Sequence, residues 1–282
     1  MEGLKAIQQS LDLIEELLPG KIKSEDIAAA AGLSSFHYQR MFQILTGFTL
    51  QEYIRNRRLT LAAQELQASS RSITDLSWEY GYETPESFSK AFKTLHGIPP
   101  SSVRVQPHPL KAYPKLSFHL QLKGAVELNY KVVTHEKQLV SGKKVVTSLQ
   151  NGQHHRDISA FWREAHEEGW IDTFDHLAGE LGVLGICMHT EGDQLTYMIA
   201  VEGEHQPDSS WTVAEIPPHQ WAVFPVRGAM PHAMPPVWER IFSEWFPATG
   251  YEHAGGPELE VYSTEGDPYQ GDYESEIWIP VT

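Results

Sequence analysis

Apolar positions in the first hundred residues recur at helical spacing, while those of the last hundred and fifty alternate as in strands. Leu4, Ile7, Leu11, Ile14, Leu17 and Leu18 form one stripe and predict a helix over 4–18 that Pro19-Gly20 ends. A short helix with Ile27 and a run of alanines follows, and Ser24 is expected to cap it. Gly32 is expected at a turn that needs positive φ. The next helix, capped by Ser34 or Ser35, runs to about Leu45. Tyr38, Met41, Phe42 and Leu45 form its inner face, and Phe36, Gln39 and Arg40 share another. A longer helix, about Thr49 to Leu66, carries Tyr53, Ile54, Leu59, Leu61, Ala62 and Leu66 inward and spans roughly 27 Å.

The same pattern then returns. Gly32 and Gly81 are 49 residues apart, and Arg40 and Lys90, Phe42 and Phe92, and Gly47 and Gly97 are each 50 apart. In the second copy Thr84 is the expected cap and Pro85 fits the first helical position. Phe88, Phe92 and Leu95 point inward, and Glu86, Ser89, Lys90 and Lys93 outward. A doubled helix-turn-helix places two reading helices in one polypeptide, so a monomer is expected to bind double-stranded promoter DNA. Gln39 suits adenine, Arg40 suits guanine, and the Phe36 edge suits a thymine methyl. The long helix sets the two readers about one DNA turn apart, ~34 Å. Arg55, Arg57 and Arg58 on it are expected to meet phosphates.

A Pro/His-rich stretch, Gln106-Pro107-His108-Pro109 and then Tyr113-Pro114, marks a linker. The expected domains are therefore 1–105, a linker over 106–125, and 126–282. Strands are predicted at 128–133, 139–149, 183–190 and 195–202 around a helix at 157–168. A second set lies at 211–216, 221–227, 259–263 and 274–280 around a helix at 235–246. The order is ββαββ, twice, and Phe161-Trp162-Arg163-Glu164 precedes Val237-Trp238-Glu239-Arg240 by 76 residues. The fold class is thus an all-α N-terminal domain followed by an α+β domain of duplicated ββαββ units, with a cleft between the halves.

Charge sharpens this division. The net charge is -15, yet residues 1–105 carry 11 Lys+Arg against 12 Asp+Glu, whereas the remainder carries 11 against 25. The second half is acidic enough to repel DNA and attract cations. Composition (41% hydrophobic, 21% charged) is that of a soluble globular chain. No apolar run suits a membrane span, and the first residues lack a signal-peptide pattern, so the expected compartment is the cytoplasm. The lone cysteine, Cys187, excludes an internal disulfide and a Cys-rich zinc site, and its apolar neighbours predict burial. His154-His155 lacks metal-ligand spacing and reads as a polar loop. No metal, no cofactor and no nucleotide loop is expected.

Seven of the eight tryptophans lie in the acidic half. Together with its carboxylates they predict an aromatic site for a small amphipathic or cationic ligand. The candidates are Trp162, Tyr197, Trp221, Trp238, Tyr251, Glu276 and Trp278. In Ser275-Glu276-Ile277-Trp278, alternation puts Glu276 and Trp278 on one face, and a carboxylate on the inner face of an apolar strand calls for a partner. The alternative is an enzyme that hydrolyses a reactive small molecule with Glu276 as acid or base. A third reading is a protein-interaction module using the acidic face.

The segment Gly81-Tyr82, Phe88, Phe92-Lys93, Gly97-Ile98-Pro99-Pro100 and Arg104 resembles the closing signature of the AraC/XylS family of transcription regulators. The resemblance covers about residues 6–105. It implies seven helices, with two in successive major grooves. It also implies base contact by Phe36, Gln39 and Arg40 in the first unit, and by Thr84, Pro85, Glu86 and Lys90 in the second. Glu86 departs from the more basic or amide-bearing residues of that family. The later half resembles the GyrI-like effector-binding domain over about 126–282. The segments carrying the likeness include Tyr197-Met198-Ile199-Ala200-Val201-Glu202, Trp221-Ala222-Val223-Phe224 and Glu276-Ile277-Trp278-Ile279-Pro280-Val281. That likeness implies binding of small, often cationic or amphipathic molecules, with a glutamate at the position of Glu276 in several relatives. The domain order resembles that of Rob-type regulators. The implied activity is ligand-controlled transcription, with RNA polymerase as a further possible partner, and not catalysis.

Overall fold

The computed structural model describes residues 2–105, 109–117, 127–149, 152–189 and 194–282. These fall into two compact units whose membership does not follow the chain. One holds Glu2–Ser35 with 48–105 and 109–117, and the other holds Phe36–Gly47 with the described residues from 127 onward. No helix among the described residues is long and apolar enough to cross a membrane.

The helices run α1 (Glu2–Leu17), α2 (Ser24–Ala30), α3 (Ser35–Thr46), α4 (Leu50–Ala68), α5 (Ile73–Glu79) and α6 (Pro85–His96), followed by a single 3-10 turn at Pro100–Ser102. Most of the expected local signals are in place. Gly32 has φ +71. A reciprocal capping box of Thr49 and Glu52, not among those expectations, starts α4 one residue later, at Leu50. The Thr84 hydroxyl accepts from Ser87 N–H, with Pro85 in the first turn of α6. Ser24 differs: it opens α2 rather than capping it, and Lys23 holds the N-cap position without a side-chain bond. Of the seven helices the family likeness implies, the described residues show six and the 3-10 turn.

The core of the helical unit gathers Leu59, Ala62, Leu66, Leu76, Tyr80, Phe88 and Phe92, the inward stripes of α4, α5 and α6. Arg57 and Arg58 are committed inside this unit rather than turned toward phosphate. Arg57 forms a two-point ion pair with Glu15, at 2.8 and 2.6 Å, and donates to the Tyr113 carbonyl. Arg58 donates to the carbonyls of Leu18 and Gly20 in the turn that follows α1. Arg55 is exposed. Of the linker expected at 106–125, 106–108 and 118–125 lie outside the described residues. The described part is fastened to α4 and α1: Tyr113 N–H donates to Thr60, Leu116 N–H to Tyr53, and Lys115 pairs with Asp12 at 2.7 Å.

In the second unit an eight-stranded sheet has the order β1-β6-β8-β7-β3-β4-β2-β5. The strands are β1 (Lys131–His135), β2 (Gln138–Ser148), β3 (Val183–His189), β4 (Gln194–Glu202), β5 (Thr212–Ile216), β6 (His219–Arg227), β7 (Glu258–Tyr262) and β8 (Glu274–Val281). Every paired neighbour is antiparallel. The duplication is visible with an exchange. Strands β2, β4 and β3 mirror β6, β8 and β7, while each half sends its first strand to the other: β1 pairs β6 and β5 pairs β2. The halves join where β3 meets β7. Gly142 lets β2 lie against β4, since a Cβ there would sit 2.0 Å from the Ile199 carbonyl oxygen.

Helices α7 (Gln153–Glu167) and α8 (Trp170–Leu177) follow β2, and α9 (Met234–Arg240), extended by a π-helical turn over Ile241–Trp245, follows β6. The sheet is apolar on both faces. On one lie Leu184, Ile186, Met198, Trp221, Val223, Leu259 and Trp278. On the other lie Cys187, Tyr197, Ile199 and Val201, covered by Phe161 and Phe174 of the two helices and by Phe36 of α3. His154 and His155, expected in a polar loop, open α7 instead. Burial, then His155 and Arg40, hold the His154 imidazole down at about 3.

Candidate functional site

On the α7 face of the sheet, β7 alternates Glu258, Glu260 and Tyr262 against Leu259 and Val261, which face the opposite core. A cavity of about 1060 Å³ opens there, lined by Trp162, Cys187, Tyr197, Trp238, Glu260 and Tyr262 and by Arg40 of α3. Glu260 is held by aromatic donors. Trp238 Nε1–H donates to Oε1 at 3.0 Å, and the Tyr262 and Tyr197 hydroxyls donate to Oε2 at 2.9 and 3.4 Å. Trp162 Nε1–H steadies the Tyr197 hydroxyl at 2.8 Å. Burial, reinforced by the Glu260 charge, raises both tyrosines well above their ordinary range, so they stay neutral donors. The result is a carboxylate on an aromatic floor with no counter-charge among its hydrogen-bond partners.

Arg40 brings a positive charge to Glu258. Its Nε lies 2.6 Å from Glu258 Oε2, its guanidinium lies 4.3 Å from the Trp238 ring centroid, and Nη1 donates to Cys187 Sγ at 3.3 Å. Burial opposes the Arg40 charge, but Glu258, Cys187 and Glu260 outweigh it and raise its pKa. Burial raises Glu258 against the lowering effect of Arg40. Cys187, buried as its neighbours suggested, is pushed up to about 12 by desolvation.

His37 Nε2 and His253 Nε2 stand 3.5 and 3.7 Å from Glu258 Oε1. All three ligand-type atoms lie within 4.8 Å of one another. The tautomer argues against a metal there. Gly255 N–H donates to His253 Nδ1 at 2.9 Å, so the neutral ring carries its proton on Nε2, the atom facing Glu258. Burial lowers both imidazoles, His253 to about 3, so they remain uncharged.

Of the ligand candidates named from sequence, Trp162, Tyr197 and Trp238 line the cavity. Trp221 and Trp278 lie in the core on the opposite face, with ring centroids 6.0 Å apart. Tyr251 stacks on Trp245 at 5.3 Å. Glu276 does share a face with Trp278, but it is not the cavity's face. Its carboxylate accepts from Lys131 at 2.9 Å and Trp278 Nε1 at 2.7 Å, beside a recess of about 250 Å³. Alternation alone could not tell which face holds the cavity. Sequence reasoning misses Glu260 at the cavity and Glu258 beside Arg40, although their alternation with Tyr262 is readable in Glu258-Leu259-Glu260-Val261-Tyr262.

The DNA-contact candidates divide as well. Thr84, Glu86 and Lys90 are exposed on α6, and Pro85 is half-buried. Phe36 and Gln39, expected on an open face, are 2% and 6% exposed. The Phe36 ring is part of the apolar cluster that contains Cys187 and Tyr197.

Residues 131–281 match the model of the integron-associated effector binding protein family. The chain belongs to this family. Residues 27–106 match a helix-turn-helix domain model. The transcriptional activator AarP of Providencia stuartii is 38% identical over 99 residues, covering 35% of this chain and 73% of AarP. The multiple antibiotic resistance protein MarA of Escherichia coli is 36% identical over 99 residues, covering 35% of this chain and 78% of MarA. The solved structure of SAV2435 bound to tetraphenylphosphonium is 26% identical, covers 55% of this chain and 94% of its own, and superposes with a TM-score of 0.50. This effector-binding family member is thus a DNA-binding transcription regulator of the AraC/MarA type, joining a helix-turn-helix region to an α+β effector-binding domain.

Proposed function

We propose that the effector is a lipophilic cation bound in the large cavity, with its charge on Glu260 and its apolar groups against Trp162, Tyr197, Trp238 and Tyr262. One observation carries this reading: among the described residues Glu260 accepts hydrogen bonds from neutral aromatic donors alone, and it lines a cavity large enough for a drug-sized molecule. Cation–π attraction and the carboxylate's charge act together there. The tetraphenylphosphonium bound by the related SAV2435 has this chemistry. DNA is read by α3 and α6, through Phe36, Gln39 and Arg40 in the first and Thr84, Glu86 and Lys90 in the second.

The test joins both halves. Full-length protein selects from random duplex DNA with and without tetraphenylphosphonium, and the cation is titrated by calorimetry. A two-part motif spaced by about one helical turn, together with one-to-one cation binding, is expected. No enriched motif removes the DNA reading, and no saturable binding removes the cation.

A further inference from the structure

We infer that the face of α3 formed by Phe36, Gln39 and Arg40 has two exclusive partners, DNA and the effector-binding unit, with Arg40 lodged in that unit as an internal stand-in for the ligand's cation. The inference rests on the reading of α3 as a DNA-reading helix and of the cavity as a cation site. A helix that reads bases needs these side chains bare. Here Phe36 is 2% exposed and belongs to an apolar core, and Gln39 is 6% exposed.

Arg40 makes contacts of the kind a bound cation would make, on Glu258, whereas the ligand's charge falls on the neighbouring Glu260. It pairs with a carboxylate at 2.6 Å and covers the Trp238 ring at 4.3 Å, the same indole whose N–H holds Glu260. The consequence for Glu258 gives the arrangement its direction. Its carboxylate is 1% exposed, and neither oxygen accepts a hydrogen bond among the described residues. The two imidazoles beside it are uncharged. Arg40 is therefore its counter-charge, and withdrawing α3 leaves a buried anion unpaired. A cation in the adjoining cavity restores positive charge to the cluster. The ligand then favours the state in which α3 is released, and that difference is what lets it shift the equilibrium. Linkage requires the converse: DNA that holds α3 raises affinity for the cation by the same factor.

The single cysteine reports the docked state. Cys187 is 2% exposed and touches Arg40, so a maleimide reaches it when α3 leaves. Labelling rates and affinity for the duplex enriched in the selection above are measured on full-length wild type, Glu258→Gln and Arg40→Ala. Loss of the buried pair is expected to speed labelling by about 10- to 100-fold in both variants. Glu258→Gln should also bind DNA about tenfold more tightly, whereas Arg40→Ala, which loses a base contact, should not. A purely structural role for the pair would weaken DNA binding in both. Unchanged labelling in folded variants, or faster labelling of Glu258→Gln without tighter DNA binding, overturns the inference. If Glu258→Gln does not fold, tetraphenylphosphonium affinity of the wild type decides. A rise with saturating duplex supports the exclusive-partner arrangement, and equal affinities sink it. Failure to enrich any duplex, or to bind the cation at all, would instead remove the reading beneath it.

Discussion

Replacing Glu260 with glutamine keeps the shape of the cavity floor and removes its charge. The carboxylate accepts from Trp238, Tyr262 and Tyr197, all neutral, so its negative charge is available to a ligand. The phenyl groups of tetraphenylphosphonium would keep its charged centre on the order of 6 Å from the oxygens. At an effective dielectric of ~20, Coulomb's law gives about 3 kcal/mol at that separation. The glutamine NH2 also cannot accept from the aromatic donors, which adds to the loss. Part of the charge effect is already spent on Arg40, whose pKa Glu260 helps to raise. The expected net cost is about 2–3 kcal/mol, or roughly 30- to 150-fold in Kd. Calorimetric titration of the full chain reads it directly, with Glu276→Gln as the comparison, expected to bind within about twofold of wild type. A Glu260→Gln affinity within about threefold of wild type would refute the electrostatic argument and leave binding to the aromatic walls. An equal loss in Glu276→Gln would refute the assignment of the cavity.

Three further outcomes separate structural from functional charge. Arg57→Ala should cost the helical unit about 3 kcal/mol in urea denaturation, because it strands Glu15 in a pair whose side chains are 10% and 14% exposed. Its DNA salt slope should match wild type, whereas loss of a phosphate contact would lower the slope by about 1. His154 is held at about 3 by burial, against about 6.5 in the unfolded chain, so the unfolded state takes up its proton first. Its contribution is therefore complete above pH ~6.5 and is lost toward pH 3 at up to about 1.4 kcal/mol per pH unit. His154→Gln should flatten the fall in stability over that window, and an unchanged profile would show the ring is not buried neutral. Gly142→Ala drives a Cβ into the Ile199 carbonyl and should cost about 3 kcal/mol or more, seen as a lowered Tm of the α+β domain. A Tm within a degree of wild type would mean that β2 and β4 do not approach as described.

The helical half was readable because its signals are local. The cap at Thr84, the turn at Gly32, and the inward stripe of Phe88 and Phe92 depend on neighbours within a few residues. The strands of the second half also announce themselves by alternation. What alternation lacks is the identity of each face, and in a sheet apolar on both sides that is decisive. Glu276 and Glu260 look alike in sequence, yet Glu276 meets Lys131 on one face while Glu260 sits in the aromatic cavity on the other. The exchange of β1 and β5 between the halves is a long-range choice that no local pattern carries. Arg57 and Arg58 show the same limit for charge. A basic run on a helix suggests phosphate, but Glu15 and the carbonyls at the end of α1 bind these side chains first. Nor does the sequence of α3 reveal that its polar face has a partner within the chain.

Affinity for the enriched duplex, measured by fluorescence anisotropy with and without saturating tetraphenylphosphonium, bears most directly on the coupling of effector to DNA. Tighter DNA binding with the cavity filled is the predicted result, since the proposed cation would supply the positive charge that Arg40 withdraws and so release α3 to read bases. Identical affinities, under conditions where calorimetry shows the cation bound, would mean that the two activities share a chain without controlling one another.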